Sequence, residues 1–365
     1  MPFYSFQTPA KRTTKSAMDT SSGSRIAGLY VAGYGFDVEC GLYRFLYVDE
    51  HWAGELLTAV AELAALARHP WLPIIYGVSG GAGIVRAWDL SGDGARLVSE
   101  SSTAGIEPCH VAIDVGGRML VVANYESGSI AVWELTSDGA LLGAPGVIEL
   151  SGSSVTPDRQ SGPRPHQLVF VNDSVCVVDL GADAVHIFTI SPLRSGANAL
   201  TAAKSVSVPA GTGPRNLVTL PHDRIAFTGE LGSTVISGKL NGHPSNWRSS
   251  PSTKDARPIS GPPRNFPGDI QRSPDGQLVY VANRGNDTIA TFSVGEEAPQ
   301  LVGELNSSVR WPQHLLLANN ELFVAGRDSS NVVALSLLDG LPVESRALFE
   351  CPGAAWLLPI YENRD

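Results

Sequence analysis

The chain's hydrophobic alternation runs for five or six residues, breaks at a turn, and begins again. In "PCHVAIDVGGRMLVVANYESGSIAVWEL", residues 108–135, the breaks fall at Gly116-Gly117 and Ser127-Gly128. In "GDIQRSPDGQLVYVANRGNDTIATFSV", residues 268–294, they fall at Pro274-Asp275-Gly276 and Gly285-Asn286-Asp287. Runs rich in β-branched residues with a period of two, bounded by turn formers, predict consecutive antiparallel strands.

The pattern recurs. "EPCHVAID", "PRPHQLVF", "GPRNLVTL" and "WPQHLLLA" each place a proline close before His or Arg and then an apolar run. Comparable prolines stand at Pro70, Pro108, Pro165, Pro214, Pro267, Pro312 and Pro352, on average about 47 residues apart, a repeat length typical of propeller blades. The expected fold is all-β: a seven-bladed β-propeller forming a single domain over 25–365. The last unit, "CPGAAWLLPIY", is too short for a blade, and "AGLYVAGYG" and "CGLYRFLYVD" are strands without a proline before them. The N-terminal strands are therefore expected to complete the blade that the C-terminus begins, which hides two sheet edges.

Three segments break the rhythm. "ELLTAVAELAALARHP" (55–70) is rich in Ala and Leu and reads either as a helix or as an outer strand followed by the next blade's first strand. Residues 241–267, "NGHPSNWRSSPSTKDARPISGPPRNFP", read as a loop insertion between blades, and Trp247, Arg248, Lys254, Arg257 and Arg264 would suit a lid over an anionic ligand. "SGSSVTPDRQSGPRPH" is a shorter insertion before His166.

In an antiparallel blade the start of the first strand and the end of the second share one rim. That rim gathers Cys109-His110, His166, Arg215-Asn216 and Gln313-His314 with Asn124-Tyr125, Asp179-Leu180, Glu230-Leu231, Asn283-Arg284 and Gly326-Arg327. Such convergence of polar groups marks a binding site. Single members have a bland alternative, since Asn124 and Asp179 can serve as turn caps. Turn chemistry does not call for His166, Arg215, Glu230 and Arg284 together.

Composition narrows the ligand. The 365 residues carry a formal charge of −10, against the basic field of a nucleic-acid surface. A few arginines can still bind a small anion in an acidic protein. Cys40, Cys109, Cys176 and Cys351 are far apart in sequence and form no C-x-x-C pair, so free thiols in a reducing cytoplasm are expected. The first 24 residues lack the apolar core of a secretory signal and are expected to be disordered, and no run is long enough to span a membrane. No Gly-x-Ser-x-Gly elbow or zinc-spaced His/Cys cluster occurs, and no cofactor or metal is implied.

With these residues in view, the chain resembles the lactonase family of seven-bladed propellers, which includes propeller-type 6-phosphogluconolactonases and the fungal 3-carboxy-cis,cis-muconate lactonizing enzyme. The resemblance lies in "GIEPCHVAIDVGGRMLVVANYESGSIAVWEL", "RPHQLVF" with "VVDLGADAVHIF", "AGTGPRNLV" with "FTGEL", and "SPDGQLVYVANRGNDTIATF". It implies a site of His166, Arg215, Glu230 and Arg284; His110, Asn124, Asp179, Asn283 and His314 are further candidate substrate contacts because they share the rim, with His110 and His314 read first as rim or packing residues. It also implies a small anionic lactone, most readily 6-phosphogluconolactone, as substrate; charge and hydropathy argue against nucleic acid and membrane as partners, and a monomer or weak homodimer is expected. Asn216, Gln167-Leu168 and Gln313 depart from the family pattern.

His166 is the expected general base, because imidazole titrates nearest neutrality. Glu230 either orients it or is itself the base, while the arginines hold an oxyanion or the substrate's anionic group. Three other readings remain open: carboxymuconate cycloisomerisation, a calcium-type sugar lactonase using Glu230, Asn124, Asp179 and Asn283, and a non-catalytic binding propeller.

Overall fold

The structure, a computed structural model, describes residues 25–191, 196–240, 246–255 and 264–362. The expected disordered tail, residues 1–24, lies outside these residues. The described strands form seven four-stranded antiparallel sheets. Their innermost strands are Leu63–Arg68, Pro108–Ile113, Pro165–Val171, Pro214–Leu220, Phe266–Arg272, Pro312–Ala318 and Ala354–Tyr361, numbered here as blades one to seven. Each innermost strand lies against that of the next blade, and the seventh returns to the first. Blade seven is completed from the other terminus: Ala354–Tyr361 pairs with Ile26–Gly33, which pairs with Gly41–Val48, which pairs with His51–Ala59.

Packing explains why the second strands read as unbroken apolar runs. In Met119–Asn124 of blade two, Leu120 and Val122 join a core shared with blade one, whereas Met119, Val121 and Ala123 join one shared with blade three. Both faces of the blade are buried, so alternation along this strand selects a neighbour instead of water or core. Each large side chain buried this way contributes on the order of 1.5–3 kcal/mol.

Pairing decides the ambiguous Ala/Leu segment. Glu55–Ala59 ends the outer strand of blade seven and Leu63–Arg68 begins blade one, so the residues are strand despite their helix propensity. Pro70 is not a blade start as its spacing suggests; it lies in the turn between Leu63–Arg68 and Ile74–Ser79. Residues 241–267 are not one loop, because Arg248–Pro251 forms the outer strand of blade four. Nor is Trp247 part of a lid: it packs edge-on against Phe227 and donates from Nε1 to the Ser207 carbonyl. Arg264 donates to the Leu231 carbonyl, while Arg257 lies outside the described residues. All four cysteines are free; Cys40, Cys176 and Cys351 are buried and Cys109 is partly so. Among the described residues no helix is long and apolar enough to cross a membrane.

One irregularity is common to every blade. After its first paired residue, or after the second in blade five, each innermost strand slips register against the second strand, a β-bulge that leaves one or two residues outside the ladder. The bulged residues are Ala64, Cys109, His166, Arg215-Asn216, Gly268-Asp269, Gln313 and Ala355. Bulges free a side chain from the strict alternation of a strand and can re-aim it.

Candidate active site

The bulges converge. Ala64, Cys109, His166, Arg215, Asn216, Asp269, Gln313 and Ala355 line a cavity of about 160 Å³ at one end of the channel. Tyr34, His110, His314, Arg327 and Trp356 complete its wall. The shared rim expected from the strand directions is therefore present: Pro108 pairs with Asn124, Pro165 with Asp179, and Phe266 with Arg284.

Buried acids fix the segments that deliver the site residues. Asp179 Oδ1 accepts from the backbone amide of Arg164, two residues before His166, and from those of Gly181 and Ala182. Asp183 performs the same task one blade on, accepting from the Gly211 and Gly213 amides just before Pro214-Arg215. The Gly213 carbonyl in turn accepts from the Glu230 amide, so Arg215 and Glu230 are set by one short loop. Gly213 has a φ of +59°, and a Cβ there would collide with the Leu231 side chain. Only glycine suits that position without strain.

Glu230 is the centre of a cationic cluster. Its Oε2 lies 2.6 Å from Arg284 Nη2 and 3.1 Å from Arg215 Nε, and its Oε1 accepts from Arg159 Nη2 at 2.8 Å. Burial pushes the carboxyl upward, but Arg284, Arg215 and Arg159 outweigh it and hold Glu230 below the usual carboxylate range. Three guanidiniums around one carboxylate leave net positive charge beside the cavity. Burial, and then Arg215, press against the charge of Arg284, which Glu230 offsets. Arg284 also stacks over Trp311, its Cζ 5.2 Å from the ring centre, and Arg327 approaches the same ring at 5.1 Å.

His166 stands partly exposed on the cavity wall. Its Nδ1 is buried and has no hydrogen-bond partner, and its ring meets Tyr125 edge-on at 5.9 Å. Burial, reinforced by Arg215 and Arg284 and opposed by Glu230, holds its pKa well below the ordinary histidine value. The imidazole is thus neutral at physiological pH and able to accept a proton. Across the cavity, His110 Nδ1 and Trp356 Nε1 are also buried without partners. Burial, with His314 and Arg215, lowers the His110 pKa to about 3. His314 is fixed by a bond from the Leu357 amide to Nδ1. Buried polar atoms left unpaired around one cavity suit a polar occupant.

The expected site residues therefore divide. His166, Arg215, Glu230 and Arg284 come together, and His110 and His314 line the cavity. Asn124, Asp179 and Asn283 do not. Asn124 Nδ2 donates to the Thr103 carbonyl and Ser129, Asn283 bonds to Ser252, Thr288 and Asn265, and Asp179 Oδ2 meets His186 Nε2 at 2.9 Å. Their side chains are spent inside the blades, as Asx side chains near turns commonly are. The oxygen ligands imagined for a hard cation are thereby dispersed, and among the described residues no group of three or more His, Cys, Asp or Glu is placed to hold a metal ion.

Sequence reading placed Tyr125 on the rim but missed Arg159, Asp269, Trp311 and Trp356. Asp269 accepts from Asn216 Nδ2 at 3.0 Å and from the Leu315 amide, tying three blades together below Arg215. The bulge offset was the usable signal for it, since Asp269 follows Pro267 as Asn216 follows Pro214.

Comparison with known proteins identifies the family and the fold. A family model described as "Lactonase, 7-bladed beta-propeller" matches residues 29–357. A protein of Bacillus subtilis (strain 168) named 6-phosphogluconolactonase is 29% identical over 324 residues, covering 83% of this chain and 89% of its own. One of the same name from Formosa agariphila is 26% identical over 254 residues, covering 67% and 71%. The structure of Pseudomonas aeruginosa periplasmic gluconolactonase, PpgL, superposes with a TM-score of 0.79 at 22% identity, over 92% of this chain and 99% of that one, and shows the shared fold.

Proposed function

From the premise that this chain belongs to the lactonase family of seven-bladed β-propellers, we propose that it hydrolyses an anionic sugar lactone, 6-phosphogluconolactone first among candidates. The observation that carries this reading is the Arg159–Glu230–Arg215–Arg284 cluster beside a cavity lined by His166, whose buried Nδ1 has no hydrogen-bond partner. A binding propeller without chemistry has no need of a neutral imidazole set against three guanidiniums. The names of the Bacillus and Formosa relatives support the same substrate class.

A lactone is an activated ester, so the demands on the protein are modest. Neutral His166 takes a proton from water as the oxygen attacks the lactone carbonyl. Arg215, on the cavity wall, faces the negative charge that develops on the carbonyl oxygen. As the tetrahedral intermediate collapses, the ring C–O bond breaks and His166 returns the proton to the departing oxygen, leaving the open-chain acid. Glu230 is not the base: held ionised by three arginines, it is weakly basic, and its role is to gather those arginines at a fixed spacing.

The test is timed hydrolysis of freshly generated 6-phosphogluconolactone, corrected for the spontaneous reaction. His166→Ala and Arg215→Ala are each expected to lower kcat/KM by about 100-fold or more while the fold persists. Near-normal turnover by both variants, or turnover of a carboxymuconate in place of the lactone, would overturn the assignment.

A further inference from the structure

Arg159 differs from the other cluster arginines in origin and in exposure. It belongs to the insertion between blades two and three, in the one-turn helix Pro157–Gln160, and not to an innermost or second strand. Its side chain is 39% exposed, against 5% for Arg215 and 7% for Arg284. Both of its bonds fall on Nη2, which donates to Glu230 Oε1 at 2.8 Å and to the Tyr125 hydroxyl at 2.9 Å. Among the described residues Nε and Nη1 make none. A planar guanidinium so held keeps its remaining donors for a second anion.

The insertion is built to hold Arg159 still. Gln160 is fully buried; its Nε2 donates to the Leu180 carbonyl at 2.9 Å and its Oε1 accepts from the Thr156 amide at 3.1 Å. The Ser154 amide bonds back to the Gln160 carbonyl, closing the segment on itself. Arg159 reaches the cavity wall by two independent routes, through Glu230 to Arg215 and through Tyr125 to the edge of His166. Fixing a long side chain before the ligand arrives removes part of the ordering cost of binding.

We propose that Arg159 is a substrate-binding residue that takes the phosphate of a phosphorylated lactone, and so sets the preference for phosphorylated over neutral sugar lactones. The idea rests on the lactonase reading above. In that reading Arg215 faces the reacting carbonyl, while Arg284 is stacked on Trp311 and Arg327 is held by the same ring and by Asp328, so Arg159, with donors still unengaged, is the cation left for the far end of the substrate.

Two measurements on the full chain test it. In kinetics, Arg159→Gln is expected to lower kcat/KM for 6-phosphogluconolactone about tenfold more than for glucono-δ-lactone, chiefly through KM, with Arg159→Lys recovering part of the difference. In calorimetry, which does not require turnover, wild type is expected to bind 6-phosphogluconate more tightly than gluconate, and Arg159→Gln to lose most of that preference. Equal losses for both lactones, or a preference for 6-phosphogluconate that survives in Arg159→Gln, would overturn the proposal. Wild type that turns over neither lactone would sink the lactonase reading, and the binding comparison would still decide the role of Arg159.

Discussion

His166 combines two properties that rarely favour each other: it is poised to accept a proton, yet its surroundings resist the charge it would acquire. Burial and then Arg215 disfavour the imidazolium, with Glu230 pulling the other way. Because the folded pKa is depressed, the neutral base persists as pH falls through the ordinary histidine value near 6.5. The pH profile of kcat/KM, which reports the free enzyme, is therefore expected to stay flat there and to fall only in more acidic solution. An acid limb centred at or above 6.5 would show that His166 is not the base. Residues of this kind were legible in the sequence because each follows its proline by a fixed offset. Asn124, Asp179 and Asn283 share the rim and the polarity of the residues gathered at the cavity, and only their bonds within the blades show that they serve the turns. Arg159 was illegible for the opposite reason. Nothing in "TPDRQSG" separates it from a solvated loop arginine until the fold brings blade four's Glu230 beneath it.

Among the elements, the loop from Gly211 to Pro214 carries more of the site than any strand does. Asp183 ties two of its amides, and its glycine carbonyl receives Glu230, so a change there moves Arg215 and Glu230 together. Gly213→Ala forces a side chain into the left-handed region and against Leu231. It is expected to cost about 1–3 kcal/mol of stability, and to lower kcat/KM besides. Gly295→Ala is the control: its Cβ would meet nothing within 4 Å, and its melting curve should match wild type. Thermal denaturation of the two variants checks the contrast, and equal melting temperatures would refute it. At this scale the sequence announced strands and turns clearly but misled twice. "ELLTAVAELAALARHP" has helical composition, and its neighbours in two blades made it strand. Pro70 falls near the repeat spacing but sits in a turn, since blade one begins at Leu63 without a proline.

For the molecule as a whole, closure depends on eight residues near the C-terminus. Ala354–Tyr361 is the innermost strand of blade seven, pairs with Ile26–Gly33, and supplies Ala355 and Trp356 to the cavity. Deleting residues 352–365 would leave an open edge and a core sheet of N-terminal strands with nothing inside them. Such a chain is expected to lose cooperative thermal unfolding and to aggregate. A truncated protein that remains monomeric and melts sharply would show that closure is dispensable. Seven blades could be read from the repeat length, though Pro70 marks a turn and not a blade start, and the shared closing sheet from the short last unit and the unpaired N-terminal strands; the register slip in each innermost strand could not, because a bulge leaves no mark on composition. That slip has a consequence for how such a protein changes over time. A residue standing outside the ladder can be exchanged without disturbing the pairs on either side, so the ring offers seven sockets around one axis, each open to a new side chain. At present they hold two alanines, a thiol, an imidazole, a carboxamide, an arginine-asparagine pair and a glycine-aspartate pair. New chemistry can be auditioned there one socket at a time, while the architecture that presents it stays the same.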